Sequence, residues 1–422
     1  MLPSPPANIA ALLARPVAVF GAGVSGQGVR ELLAAIGGVG RVYDEHADDA
    51  ENDFTPEHAS QHGLVVFSPG FIPNHPWLET ARDADCLCLG ELDFASLFWR
   101  GELVAITGTN GKTTLTEFLT HALVLAGQAA HLTGNVGYSF SRFVVEQTGR
   151  ADIAVCEVSS FQAETLQHLR PTATLWTNFA EDHLERHAGM DAYFAAKWRL
   201  LERTVPAAVF TGTSVQTFAT RSGYKLPASA GIASADQPAD ARLAGTVFAG
   251  YPQRENYLLA AAWWRHAGLP EEKLVAAARS FRLGGHRLAK VRECSGVSFW
   301  NDSKATNFHA VEAALATFAN PVLWIGGGRA KGGDLGGFVR RIAPHIRHAF
   351  VIGETAPVLA DDCRGLRVPV TPCGTLEEAV RGAAGLAATG DHVVLSPGFA
   401  SFDMFRGYDD RGRQFVNLVE KL

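Results

Sequence analysis

The sequence predicts an α/β protein of three domains, each a largely parallel sheet with helices on its faces. Three observations carry that expectation. Short apolar runs alternate with helical spacers along the chain, the rhythm of successive βαβ units. Two glycine-rich turns, "FGAGVSGQG" and "TGTNGKTT", each follow an apolar run and open a helical one. The pair Gly284-Gly285 then reads as a hinge before a third block with the same alternation. A chain of 422 residues suits three domains at about 150 residues each, and 47% hydrophobic content is ample for several cores.

Taken in order, residues 1–98 supply the strands "PVAVFGAG", "RVYDEH", "GLVVFSPG" and "DCLCLG". Residues 99–284 supply "LVAITG", "ADIAVCEVSS", "TATLWTNFA" and "AAVFTGT". Between and after them run the helices "TLTEFLTHALVLAG", "MDAYFAAKWRLLER" and "ENYLLAAAWWRHAG". Residues 285–422 supply "VSFWNDS", "PVLWIGGG", "HAFVIG" and "DHVVLSPG", each followed by a helical pattern. The first and third domains are therefore expected to be Rossmann-like, and the second to resemble a P-loop ATPase.

Composition narrows the function classes. Net charge is -6 without a run of lysines or arginines, so neither nucleic acid nor an anionic membrane surface is the expected partner. Cys86, Cys88, Cys156, Cys294, Cys363 and Cys373 lack C-x-x-C spacing, which argues against structural zinc and a disulfide framework. The first basic residue, Arg15, follows the short apolar stretch Ile9 to Leu13, the wrong order for a secretory signal, and no apolar run nears the ~18 residues of a membrane span. A cytoplasmic enzyme, monomeric and without membrane insertion, is the expectation.

The first glycine turn places G-x-G-x-x-G at Gly21, Gly23 and Gly26, with Asp44 ending the next strand. Two readings stay open: a nicotinamide dehydrogenase, or any nucleotide diphosphate lying against glycine backbone and a helix N-terminus. The second turn is shorter than the general G-x-x-x-x-G-K-[ST] loop, because counting back from Lys112 reaches Ile106 and Gly108 comes two residues late. It still offers amides across Gly108, Thr109, Asn110 and Gly111, the Lys112 charge for outer phosphates, the Thr113 hydroxyl for magnesium, and Thr114. Dehydrogenases have no need of it. One nucleotide would be spent while the other is the handle of a carrier substrate.

Magnesium takes oxygen ligands, and Glu157, ending the strand "ADIAVCE", is a candidate; the competing reading is a capping or salt-bridged acid. Asp182 and His183 follow the next strand, where a histidine is commonly a hydrogen-bonded structural residue. Lys197 sits inside the helical stripe Tyr193, Phe194, Trp198 and Leu201. Either its stem packs while its amine reaches water, or a desolvated amine with a lowered pKa takes up carbon dioxide as a metal-binding carbamate.

In order and spacing, "GTNGKTT", "EVSSFQ", "TNFAEDH" and "AAKWR" resemble the Mur ligases of bacterial cell-wall synthesis, relatives of folylpolyglutamate synthases. The stretches "GGHR", "NDSKATN", "GGRAKGGD", "LSPGFASFDMF" and "RGRQF" extend the resemblance over nearly the whole chain, toward the members that add D-glutamate. The resemblance implies an ATP-dependent amide ligase using the shorter loop, with D-glutamate and UDP-N-acetylmuramoyl-L-alanine as substrates, an acyl-phosphate intermediate, and two magnesium ions. It implies that Lys112, Thr113 and Glu157 serve ATP and a first metal, and His183 with carbamylated Lys197 a second. The UDP substrate would lie near Gly23, Val24, Ser25, Asp44, Ser68, Pro69 and Gly70, with Asn135 and His183 at its muramoyl-alanine end. Asn256, Arg287 and Asp302 would reach the nucleotide, and Lys304, Thr306, Lys331, Ser401 and Tyr408 would form the amino-acid pocket. Departures from the family are Glu255 and Leu259 in its H-N-x-x-N run, Phe399 for a small residue or cysteine, and Tyr408 for phenylalanine. The last two direct attention to the identity and stereochemistry of the amino acid, with L-glutamate or another acceptor as the alternative.

Overall fold

The computed structural model describes residues 2–147, 152–234 and 236–422. Among these residues three sheets form in sequence order. The first holds β1 (Val17–Phe20), β2 (Gly40–Tyr43), β3 (Leu64–Phe67) and β4 (Leu87–Gly90), all parallel in the order β2-β1-β3-β4. The second holds β5 (Glu102–Thr107), β6 (Ala130–Gly134), β7 (Ile153–Glu157), β8 (Ala173–Trp176), β9 (Val209–Gly212) and β10 (Gly231–Ala233), parallel in the order β10-β9-β8-β5-β7-β6. The third holds β11 (Ala289–Cys294), β12 (Val297–Asn301), β13 (Val322–Gly327), β14 (Ile346–Ile352), β15 (Val370–Pro372) and β16 (His392–Leu395), in the order β11-β12-β16-β13-β14-β15. Only the β11–β12 pair in it is antiparallel.

Strands β1 and β3 are buried at every position, as expected of a parallel sheet covered on both faces. One face packs the aromatic group Phe20, Tyr43, Phe54 and Trp77, whose rings meet mostly edge to face. In the third sheet successive residues of β13 divide between two cores. Trp324 packs with Phe308 and Phe338, while Leu323 and Ile325 pack with Phe350 and Phe415 on the other face.

The chain divides into two compact units. Unit one comprises Met1–Phe179, Asp191–Ala249 and Gln253–Phe281, and unit two Ala180–Met190, Gly250–Pro252 and Arg282–Leu422. Unit one contains both the first and second sheets, joined through the helix Glu91–Ser96. Fully buried Asp93 accepts from the backbone N–H groups of Gln167, His168 and Leu169 at 2.8–3.1 Å. Buried Glu91 accepts from Ser141 N at 2.6 Å, and burial raises its pKa. Among the described residues no helix is long and apolar enough to cross a membrane.

Candidate active site

The short loop between β5 and the helix Lys112–Leu125 is stapled from the neighbouring strand end. After β8, Thr177 Oγ1 donates to Asn110 O at 2.6 Å. Asn178 accepts from Asn110 N through Oδ1 and donates to Asn110 O through Nδ2. Its carbonyl accepts from Thr109 N at 3.0 Å. Gly108 has φ +148°, and a Cβ there would lie 1.9 Å from Thr177 Oγ1, so the close approach needs glycine. The Lys112 amine lies over the loop, donating to Gly108 O (3.0 Å) and Thr109 O (2.8 Å). Asn256 is buried beneath it: its Nδ2 donates to Gln253 Oε1, and its Oδ1 would lie 2.6 Å from a Cβ on Gly111.

Glu157 ends β7 in register with Ile106 of β5, which places it beside the loop. Its carboxylate is 2% exposed; Oε1 accepts from Asn135 Nδ2 at 3.0 Å, while buried Oε2 has no hydrogen-bond partner among the described residues. Leaving a buried charged oxygen unpaired is costly, and a cation at Oε2 would remove that cost. Among the described residues no group of three or more His, Cys, Asp or Glu side chains gathers for a metal. One carboxylate and the Thr113 hydroxyl, completed by phosphate oxygens and water, fit magnesium. Lys197 is 1% exposed, and its amine reaches Gly108 O at 2.9 Å and Thr107 Oγ1 at 3.3 Å, with the Tyr193 ring centroid 4.9 Å away. Of the two sequence readings of Lys197, the amine in water does not hold.

In the first sheet, β1 lies between β2 and β3, so the chain switches direction at its carboxyl end and opens a crevice there. A cleft of about 420 Å³ occupies it, lined by Gly21, Gly23, Val24, Ser25, Asp44, Ser68 and Gly70 among others. A Cβ on Gly26 would collide with Gly21 O at 1.8 Å, which is why glycine closes the helix onto the turn. Asp44 Oδ2 accepts from Ala22 N, and Oδ1 from His46 N and Ala47 N. Those bonds hold its pKa below the ordinary carboxylate range and tie β2 to the glycine turn.

Unit two carries the remaining candidates. Lys331 Nζ contacts Asp182 Oδ1 at 3.3 Å and Thr306 Oγ1 at 3.4 Å, and Asn307 Nδ2 donates to Asp182 Oδ2 at 3.1 Å. A small pocket there is bordered by Thr306, Lys331, Gly398 and Phe399. Lys304 Nζ stands 5.0 Å over the Tyr408 ring. Ser401 is buried. Asp302 accepts from Ser396 Oγ and Leu288 N, yet burial pushes its pKa up to about 7. His183 adopts φ +56° between Asp182 and Glu185, and burial lowers its pKa.

A profile of the Mur ligase middle domain matches residues 106–228, and one of the Mur ligase glutamate ligase domain matches residues 286–399. A UDP-N-acetylmuramoylalanine--D-glutamate ligase from Gloeobacter violaceus is 36% identical over 444 residues, covering 96% of this chain and 99% of its own. The chain belongs to the Mur ligase family. A second such ligase, from Desulfatibacillum aliphaticivorans, is 34% identical over 86% of this chain and 85% of its own. The fold likeness extends to the MurF ligase of Thermotoga maritima in complex with ADP, at TM-score 0.58 and 15% identity, covering 85% of this chain and 94% of that one.

Membership in the Mur ligases leaves the nicotinamide dehydrogenase reading of Gly21, Gly23 and Gly26 without support. Within unit one the Mur ligase brings Lys112, Thr113, Asn135, Glu157 and Lys197 onto or beside the loop of the second sheet, while His183 belongs to unit two. The sequence reading missed Thr177 and Asn178, which shape the loop, and Tyr193, whose hydroxyl lies 3.3 Å from Thr109 Oγ1. The available signal was "TN" directly after a strand, read only as part of a longer match.

Proposed function

We propose that this Mur ligase joins D-glutamate to UDP-N-acetylmuramoyl-L-alanine at the expense of ATP, as a cytoplasmic monomer of three domains bounded at 1–98, 99–284 and 285–422. The observation that carries this reading is likeness at 34–36% identity, over 86–96% of the chain, to ligases bearing that activity in their names. In the reaction the L-alanyl carboxylate takes the γ-phosphoryl group, giving an acyl phosphate and ADP. The amine of glutamate then attacks the acyl carbon, and the tetrahedral intermediate expels phosphate.

Each lobe has its task. The amides of Gly108 to Gly111 and the Lys112 amine orient and neutralise the triphosphate, with Thr114 and Asn256 supporting the loop and Arg287 and Asp302 serving the nucleotide. Magnesium would be held by Thr113 and Glu157, and a second ion by His183 and Lys197 as its carbamate, supplying charge neutralisation between the phosphates and the incoming carboxylate. The carbamate nitrogen keeps one N–H, which suits Gly108 O. The crevice of the first sheet takes UDP along Gly23, Val24, Ser25 and the turn from Ser68 to Gly70, with Asn135 and His183 toward the sugar. Lys304, Thr306, Lys331, Ser401 and Tyr408 receive the amino acid, a lysine facing its side-chain carboxylate.

The test is phosphate release with product mass, run with a panel of amino acids that includes both glutamate enantiomers. Release should require ATP, magnesium, UDP-N-acetylmuramoyl-L-alanine and D-glutamate together. Release independent of the amino acid overturns the ligase reading; preference for L-glutamate overturns only the acceptor.

A further inference from the structure

The motif "RGRQF" entered the sequence reading only as a likeness, yet its first residue is among the largest fully buried side chains. Arg411 is 0% exposed, and burial pulls its pKa down to about 10. No aspartate or glutamate among the described residues lies at ion-pair distance from it; its donors go to neutral oxygens. Nε donates to Ser303 Oγ at 3.0 Å, Nη2 to Ser303 O at 2.9 Å, and both terminal nitrogens to Phe399 O at 3.3 Å. Ser303 Oγ in turn donates to Tyr408 O at 2.7 Å.

Three segments of unit two therefore converge on one guanidinium: the turn after β12, the turn after β16, and the start of the helix Tyr408–Glu420. Those segments carry Lys304, Thr306, Ser401 and Tyr408, and Phe399 itself borders the pocket beside Lys331. A rigid planar fork suits the task, because five N–H donors in fixed directions can hold separate carbonyls at once where a lysine cannot. Asp403 attracts this cation only from beyond ion-pair distance, so part of its field still acts on a neighbouring pocket through low-dielectric surroundings.

We propose that Arg411 is the positioning residue of the amino-acid pocket, setting the acceptor's affinity and handedness from beneath without touching it. The inference rests on the assignment of that pocket under the proposed function, so wild-type turnover with the amino-acid panel is the control. Should another amino acid prove to be the acceptor, Arg411 is judged on that one.

The experiment compares Arg411→Lys, which keeps charge but loses the fork, with Arg411→Met, which keeps volume and loses both. KM is measured separately for the acceptor, ATP and the UDP substrate, together with the ratio of D- to L-glutamate turnover. Expected is an acceptor KM raised about tenfold or more in both variants, a reduced enantiomer ratio, and the other two KM values within about twofold. Equal shifts in all three KM values, or an unchanged acceptor KM, overturns the proposal. Where Arg411→Met does not fold, Ser303→Ala decides, since it removes one acceptor of Arg411 and the link to Tyr408 O. It should shift acceptor KM and enantiomer ratio in the same direction by a smaller factor, and a purely kcat effect counts against the proposal.

Discussion

Lys197 is 1% exposed with its amine 2.9 Å from Gly108 O, and its place beside the loop expected to take the triphosphate gives a chemical reason for a lysine inside an apolar stripe. If that reason is the carbamate, Lys197→Ala lowers turnover by about a hundredfold or more while ATP affinity stays within a few-fold. Intact mass of the native protein would then show a labile addition that the variant lacks; normal turnover in the variant ends the idea. Asp302 is the second buried titratable group with a measurable consequence. Its pKa of about 7 lies above the unfolded carboxylate value of about 3.9. The stabilisation it gives is therefore full below about pH 4 and is lost as pH rises through about 7. About three pKa units set an upper scale of about 4 kcal/mol. Asp302→Asn, which can keep both hydrogen bonds, should flatten the slope of urea stability between pH 5 and 8; parallel slopes would remove the assignment. Lys197 was legible because a cation interrupts an apolar stripe of fixed period. Thr177 and Asn178 were not, since polar residues follow most strands and only a neighbouring turn gives these two their meaning.

At the level of elements, the strands absent from the sequence reading share one property. β6 and β10 are the two edges of the second sheet, and β11 and β15 the two edges of the third. Edge strands are covered less, so they need no unbroken apolar run: β11 is exposed at alternate positions for most of its length, and β15 ends on Pro372 with two of its three residues exposed. Central strands such as β1, β3, β8 and β13 are buried throughout and announce themselves by composition. Equally invisible was the helix Glu91–Ser96 as a clamp between two sheets, because buried acids read like surface ones until their partners are known. Asp93→Asn tests it. The amide keeps one acceptor oxygen and turns a donor toward backbone N–H groups, which should cost about 2–4 kcal/mol. Urea unfolding followed by tryptophan fluorescence measures this, and a loss below about 0.5 kcal/mol, the range of ordinary surface changes, would mean the clamp carries no weight.

For the molecule as a whole, the candidate loops sit at the carboxyl ends of strands in every sheet: after β1 and β3 in the first, β5, β7 and β8 in the second, β12 and β16 in the third. Repeating one architecture three times gives three separate binding edges, which is what joining a carrier carboxylate, a triphosphate and an amine requires. It also gives the protein two glycine turns that both suit phosphate, so their division of labour must come from what surrounds each. The first opens on a broad cleft with Asp44 spent on its own backbone, and no lysine among the described residues lines it. The second carries Lys112, Lys197 and the half-satisfied Glu157. Free UDP should therefore compete with the UDP substrate and not with ATP, whereas a non-hydrolysable ATP analogue should do the reverse. Gly26→Ala should raise KM for the UDP substrate more than KM for ATP, because a Cβ there meets Gly21 O in the first turn alone. Initial-rate inhibition patterns decide it: UDP competing against ATP would mean that the two turns are not the two nucleotide sites, and the residues around the second turn would then need another ligand.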